Sequence, residues 1–394
     1  MSNLSISYFI SHPIQYFAPL FKALAREVDL KVYYFSDASI KGDLDKEFGT
    51  KIKWDIPLLE GYASEFLPNY AGSGSLDNHL FDVFNPGVIS RIMKDGRDIV
   101  IVNGWSYSST LLAIVAGKLA GKQVWLRAES PLNQELRKAS WKLTLKKTFL
   151  KYFLFKPFID KFLYIGSQNK AFYQYFGVPE HRLIFTPYAV DNDFFQAAHV
   201  SMKGKEEEIK RQLQLPAGKK VLLFSGKYIE KKRPMDLLKA FHLLNRDDLA
   251  LVFVGEGELR RQMEQYIREY HLNNVFLTGF VNQLDIPRYY QVADIFIMCS
   301  GIGETWGLSV NEAMNFEKPV IVSRTCGSSY DLVKDGVNGY TVEEGDVDGL
   351  ADAIRKIIEV EGFAEKAGKA SGEIIRDFSI GQIVAQIANN VKKG

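Results

Sequence analysis

The sequence predicts an α/β protein made of two doubly wound parallel sheets. Two observations carry this reading: short, fully apolar, β-rich runs alternate with longer helical patterns throughout, and the alternation lapses once, in a polar stretch near the middle. With 394 residues the chain is too long for one ordinary core, so the two runs read as two domains.

The first run supplies strand candidates at 4–10 (LSISYFI), 30–36, 98–104, 122–129, 161–167 and 182–189. Runs that are apolar at every position are buried on both faces, and the helices between them provide the cover. From Asp191 to Lys219 the pattern becomes polar and charge-dense, with one short helical candidate, and this marks the boundary. We place it between 195 and 196. A second run then supplies strands at 220–227, 249–257, 274–281, 293–300 and 318–325, with helices in PMDLLKAFHLLN and ELRRQMEQYIREYH. Ligands of such sheets bind at the C-terminal strand ends, and two facing sheets leave a cleft between those ends. The last segment, 380–393, reads as one amphipathic helix.

Composition narrows the classes. Hydrophobic residues at 46% and charged residues at 24% fit a globular protein with a sizeable core, and exclude disordered and collagen-like chains. A formal charge of +2 gives no reason to expect nucleic acid as a partner. The two cysteines, Cys299 and Cys326, argue against a disulfide framework and for a reducing, cytoplasmic setting. The N-terminus lacks a basic start and is broken by His12 and Pro13, so it reads as a buried strand and not a signal peptide. No apolar run reaches the roughly 18 residues of a membrane span.

Two strand ends of the second domain carry the chemistry. In FSGKYIEKKRP (224–234), Gly226 allows a tight turn while Lys227, Lys231, Lys232 and Arg233 gather positive charge. A solvated cluster would look the same, but strand ends of this architecture are where phosphates bind. In CSGIGETWGLSVNEAM (299–314), a glycine-rich loop leads into a helix beginning near Leu308, with Glu304 before it and Glu312 on it. Acids near a helix start are often only partners of its dipole. Here, N–H groups at Gly307 and Leu308 would face an anion. Glu312 lies about 6 Å further along the helix, the reach from a docked phosphate to a ribose.

Together with KPVIVSRTCGSSYDLVKDGVNGYTVEEGD, the GKYIEKKRP loop and ADIFIMCS, the two acids of GETWGLSVNEAM resemble the C-terminal domain of glycosyltransferase family 4, over about 218–360. These are retaining enzymes of the GT-B fold, with two facing Rossmann-like domains. SHPIQYFAPLFKALA and IGSQNKAFYQYFGVPEHRLIFTPYAVD resemble members that build bacterial surface polysaccharides, such as lipopolysaccharide or capsule. The resemblance implies that Lys227 and Lys232 hold a donor diphosphate, Glu312 the ribose, and Glu304 the donor sugar. It places Phe280 and Val281 near the base, and Gly226, Thr305, Gly307 and Leu308 in the same donor site. It also implies that the C-terminal helix, 378–394, crosses back, giving domains 1–195 plus 378–394 for the acceptor and 196–377 for the nucleotide sugar.

Several positions depart from the family pattern. Lys227 stands where arginine is common, and the usual glycine-rich N-terminal loop reads SHPIQY, which leaves His12 and Gln15 as acceptor candidates with Glu129. Arg127 takes the place of a histidine that faces the donor sugar, so it is a catalytic candidate beside Glu304 and Lys232; a structural Arg127–Glu129 pair fits the same residues. Asp191 with Asp193, and Asp346 with Asp348, are D-x-D strings of the kind that hold a divalent metal elsewhere, but a domain boundary and a helix N-cap account for them. No metal or other cofactor is expected. The G-x-G of Gly255 and Gly257 lacks the rest of a dinucleotide fingerprint.

The segment 137–162 interleaves eight basic residues, against Asp160 alone, with aromatic and aliphatic ones. It suits an anionic membrane surface, and equally a helix that packs on the sheet and solvates its lysines. The function these features predict is a cytoplasmic, peripherally membrane-associated, retaining glycosyltransferase. It would move a sugar from a nucleoside diphosphate sugar to a glycan or lipid-linked acceptor. A nucleotide-sugar epimerase on the same fold and a noncatalytic sugar-nucleotide-binding subunit are the alternatives.

Overall fold

The computed structural model describes residues 5–41, 44–45, 50–51, 54–71 and 79–391. The chain divides into two compact units: Met1–Asp43, Ile52–Tyr188 and Ile380–Gly394 form the first, and Leu44–Lys51 with Ala189–Ser379 the second.

In chain order the first half contributes β1 (Ser5–Ile10), β2 (Asp29–Tyr34), a two-residue antiparallel ladder of β3 (Leu44–Asp45) with β4 (Thr50–Lys51), then β5 (Ala63–Phe66), β6 (Ile99–Asn103), β7 (Gln123–Arg127), β8 (Lys161–Tyr164) and β9 (Leu183–Phe185). The first unit's sheet has seven strands in the order β5-β2-β1-β6-β7-β8-β9, every pair parallel. Its central strands are buried nearly throughout, as their apolar runs require. The helix Ile380–Val391 presents Ile383, Val384, Ile387, Ala388 and Val391 inward and packs on the helix Phe17–Leu24, within this same unit.

The second unit is built on β10 (Lys220–Ser225), β11 (Leu249–Val254), β12 (Val275–Leu277), β13 (Ile295–Met298), β14 (Val320–Ser323) and β15 (Gly339–Val342). They lie in the order β12-β11-β10-β13-β14-β15, all parallel, with Leu222 and Leu223 of β10 opposite Ile295 and Phe296 of β13. Counted within the unit this is 3-2-1-4-5-6, so the winding reverses between β10 and β13. Both motif loops leave the sheet at that reversal.

The structure also contains what the sequence pattern did not announce. β5 and β15 are edge strands; ASEF is half-buried to exposed and GYTV only half buried, so neither shows the unbroken apolar run used to find the others. The polar stretch after Asp191 holds two helices, Asn192–Met202 and Glu206–Gln212, instead of one. The first crosses the expected 195/196 boundary and lies wholly in the second unit. Asp191 caps it by accepting the Phe194 N–H at 3.1 Å, which fixes the start of the helix.

Candidate functional site

In the second unit the loop after β10 runs through Gly226 and Lys227 to a short 3-10 turn, Glu230–Lys232, and then to the helix Pro234–Leu244. Tyr228 anchors it: the ring is buried, its N–H donates to the Glu256 carbonyl at 2.8 Å, and its hydroxyl donates to the Phe253 carbonyl at 2.8 Å. A Cβ on Gly255 would lie 2.0 Å from the Gly226 carbonyl oxygen, and one on Gly257 would lie 2.5 Å from that of Tyr228. The G-x-G after β11 therefore serves a close approach of two strand-end loops and not a dinucleotide turn.

Three of the four cations of this loop separate into different roles. Arg233 is a structural clamp: its Nε donates to Asp236 at 2.5 Å and its Nη1 stands 3.7 Å from Glu344. The Lys231 side chain passes over Gly303, and its carbonyl accepts the Gly301 N–H at 2.8 Å, joining this loop to the one after β13. Lys232 instead runs past Gly226, its Cδ 3.8 Å from where a Cβ would stand there, and its ammonium donates to Glu304 Oε2. The structure thus brings two of the predicted site residues into direct contact, both largely shielded from solvent.

Glu304 is held in a loop fixed from several sides. Its own N–H donates to the Gly301 carbonyl, and Trp306, buried, donates its indole N–H to Asn311 Oδ1 at 2.9 Å. A Cβ on Gly327 would sit 2.0 Å from the Thr305 carbonyl oxygen, so the loop after β14 closes tightly on Thr305. Gly307, at φ 94°, is the entry to the helix Leu308–Met314. Four residues into that helix, Glu312 is buried and accepts the hydroxyl hydrogen of Tyr290 at 2.6 Å. Tyr290, from the helix Ile286–Val292, is a site residue that sequence reasoning missed. Nothing in the sequence marks it, because its contact with Glu312 exists only once the two helices pack. Phe280 and Val281, half buried, follow β12 at the same end of the sheet.

In the first unit the residues assigned to the acceptor and to catalysis lie at the strand ends of the other sheet. His12 follows β1; its Nδ1 lies 2.9 Å from the Ser11 hydroxyl, and burial pushes its pKa down to about 4, so its imidazole is neutral near pH 7. Gln15 and Glu129 are half buried. Arg127 is 2% exposed, with its guanidinium over the rings of Phe17 at 5.0 Å and Tyr188 at 5.3 Å, and its Nε has no hydrogen-bond partner among the described residues. Burial against two rings favours the structural one of the two roles expected for Arg127. Its surroundings, Tyr8, Tyr188 and Glu129, make it a buried cationic brace.

Both D-x-D strings begin with helix caps: Asp191 as described, and Asp346, which accepts the Gly349 N–H at 2.8 Å ahead of the helix Val347–Glu359.

Comparison with known proteins agrees with this geometry. A parallel two-unit α/β scaffold with its motif loops at the reversal of the sheet defines the GT-B fold, and residues 205–373 of the second unit match the family model of glycosyl transferases group 1. The chain is 22% identical over 344 residues to the Campylobacter jejuni enzyme GalNAc-alpha-(1->4)-GalNAc-alpha-(1->3)-diNAcBac-PP-undecaprenol alpha-1,4-N-acetyl-D-galactosaminyltransferase, covering 84% of this chain and 88% of that one. It is 24% identical over 370 residues to the uncharacterized glycosyltransferase MJ1069 of Methanocaldococcus jannaschii, covering 90% and 88%. Among solved structures, Anabaena Alr3699/HepE in complex with UDP superposes with a TM-score of 0.78 at 18% identity, over 99% of this chain and 100% of that one. The similarity to glycosyl transferases group 1 thus falls on the part of the chain that carries both motif loops.

Proposed function

We propose that this protein transfers a sugar, with retention of its anomeric configuration, from a nucleoside diphosphate sugar to a glycan or lipid-linked acceptor in bacterial surface-polysaccharide synthesis. One observation carries the reading: at the reversal between β10 and β13, Lys232, running past Gly226, meets Glu304. A cation for the diphosphate and a carboxylate for a sugar hydroxyl are thus joined at the place where this architecture takes nucleotides.

In this reading Lys227, Lys232 and the N–H groups at Gly307 and Leu308 hold the diphosphate. Glu312, braced by Tyr290, takes the ribose hydroxyls; Phe280 and Val281 border the base; Glu304 and Thr305 contact the sugar. The reaction asks mainly that charge developing on the departing diphosphate be stabilised, which Lys232 does by position. Arg127 acts as a positioning residue, and His12, Gln15 and Glu129 border the acceptor. The relatives support donor and acceptor classes: HepE has been solved with UDP and with UDP-glucose, and the Campylobacter enzyme is named for an undecaprenol-linked glycan. No cofactor is assigned, because lysines supply the positive charge at the diphosphate.

A thermal-shift screen across nucleotide sugars tests the reading. A donor at about 100 times its Kd should stabilise the folded chain by about 2.7 kcal/mol. Glu312→Ala should give a smaller shift with the same donor. Absence of a shift with every nucleotide sugar, or an equal shift in folded Glu312→Ala, contradicts the assignment.

A further inference from the structure

Within the basic segment, residues 140–158 form a continuous helical rod in the first unit: α-helical over Ser140–Phe149, widened to a π-helix over Leu150–Phe155, and α-helical again over Lys156–Phe158. One side is packed on the unit, with Leu143, Leu150, Leu154 and Phe155 buried. The opposite side is apolar too. Trp141, Leu145, Phe149 and Phe153, spaced four apart, are 56–64% exposed, and Tyr152 is exposed beside them.

In an α-helix residues four apart drift by roughly 40° per step around the axis. The wider π turn takes up more residues per revolution and turns the stripe back, so that Phe153 stacks on Phe149 with ring centroids 6.1 Å apart. Solvated faces carry polar residues, and an exposed apolar stripe of this kind marks an interaction surface.

The charge around the stripe identifies its partner. Lys142, Lys151 and Lys156 border it, with Lys142 over the Trp141 ring and Lys151 over the Tyr152 ring, whereas Lys147, two residues from both Leu145 and Phe149, lies on the other side of the helix with its ammonium over the Tyr175 ring at 4.4 Å. The nearby acids are engaged elsewhere: Glu135 binds Lys138 and Lys146 at 2.9 and 2.8 Å, and Asp160 binds Lys118 at 2.6 Å. Lys146 thereby faces inward and is not part of the surface. An aromatic stripe with a cationic border fits a lipid bilayer bearing anionic headgroups, the rings entering the acyl boundary and the ammonium groups meeting the phosphates.

We infer that this rod docks the first unit on anionic membranes through Trp141, Leu145, Phe149 and Phe153, with Lys142, Lys151 and Lys156 as the electrostatic contact. The inference stands independently of the transfer reaction, although it suits an acceptor anchored in lipid.

Vesicle flotation with the full chain tests it, using vesicles of mixed phosphatidylcholine and phosphatidylglycerol against pure phosphatidylcholine. The expected result is flotation with the mixed vesicles at about 0.1 M salt, a large loss at about 1 M as the charges are screened, and none with pure phosphatidylcholine. Lys142→Gln, Lys151→Gln and Lys156→Gln combined should lower the partition coefficient on the order of 100-fold. Trp141→Ser, Phe149→Ser and Phe153→Ser combined should abolish flotation, with thermal melting of both variants reporting that they fold. The inference is overturned if wild type does not float with mixed vesicles at either salt concentration, or if wild type and both folded variants float alike. A dimer that the serine variant dissociates, without vesicle binding by wild type, would assign the stripe to a second copy of the chain and overturn it as well.

Discussion

Lys232 and Lys231 are adjacent in sequence, equal in charge and placed differently: one reaches Glu304, the other lies over Gly303. If the loop acted as a diffuse positive field, either lysine would serve. A ground-state diphosphate is already charged, so Lys232 contributes affinity; only the interaction gained as the glycosidic bond breaks lowers the barrier. Lys232→Ala should therefore reduce kcat by about 10²–10³, the range for removing one donor to a developing anion, while Lys231→Ala stays near wild type. Lys232→Arg should recover only part of the loss, because the guanidinium changes the reach to Glu304. Steady-state kinetics on the three variants decides, and equal losses at 231 and 232 would remove the specific role.

At the level of elements, the role proposed for Glu312 on the helix Leu308–Met314 depends on a side chain from another helix. Tyr290 of Ile286–Val292 supplies a hydroxyl to buried Glu312, and a buried carboxylate is costly unless hydrogen-bonded. Tyr290→Phe should leave kcat nearly unchanged and raise the donor KM by about 10–100-fold, the equivalent of a 1.5–3 kcal/mol hydrogen bond to a charged group. A merely structural tyrosine would lower melting temperature without that KM change.

The same scale explains what the sequence disclosed. β10, β11, β13 and β14 were legible because strands covered on both faces are apolar at every position, and the helix at Pro234 because proline suits a first turn. Glu304, Glu312, Lys227 and Lys232 were legible as motif residues at strand ends. β5 and β15 lack that signal as edge strands, the Tyr290 contact depends on tertiary packing, and the π turn at Leu150–Phe155 has no mark in hydrophobic periodicity. Arg127 shows the converse limit: a charged residue at a strand end reads equally as functional or structural, and its burial against the rings of Phe17 and Tyr188 is visible only in the fold.

Over the whole molecule, both units repeat one winding, with the central strands β1 and β6 in the first and β10 and β13 in the second standing at the reversal. The second unit carries the motif loops proposed to bind a nucleotide sugar; the first carries the aromatic-striped rod and the acceptor candidates. Among the described residues no helix is long and apolar enough to cross a membrane.

The central claim is that a nucleotide sugar bound at Lys232 and Glu304 loses its sugar with retention. It is tested most directly by ¹H NMR of slow donor hydrolysis, which needs no acceptor. With the donor found by thermal shift, the first sugar released by wild type should carry the donor's own anomeric configuration, observed before mutarotation, and Lys232→Ala should release it much more slowly. An inverted first product, an epimerised nucleotide sugar in place of free sugar, or equal rates for wild type and Lys232→Ala would contradict the account.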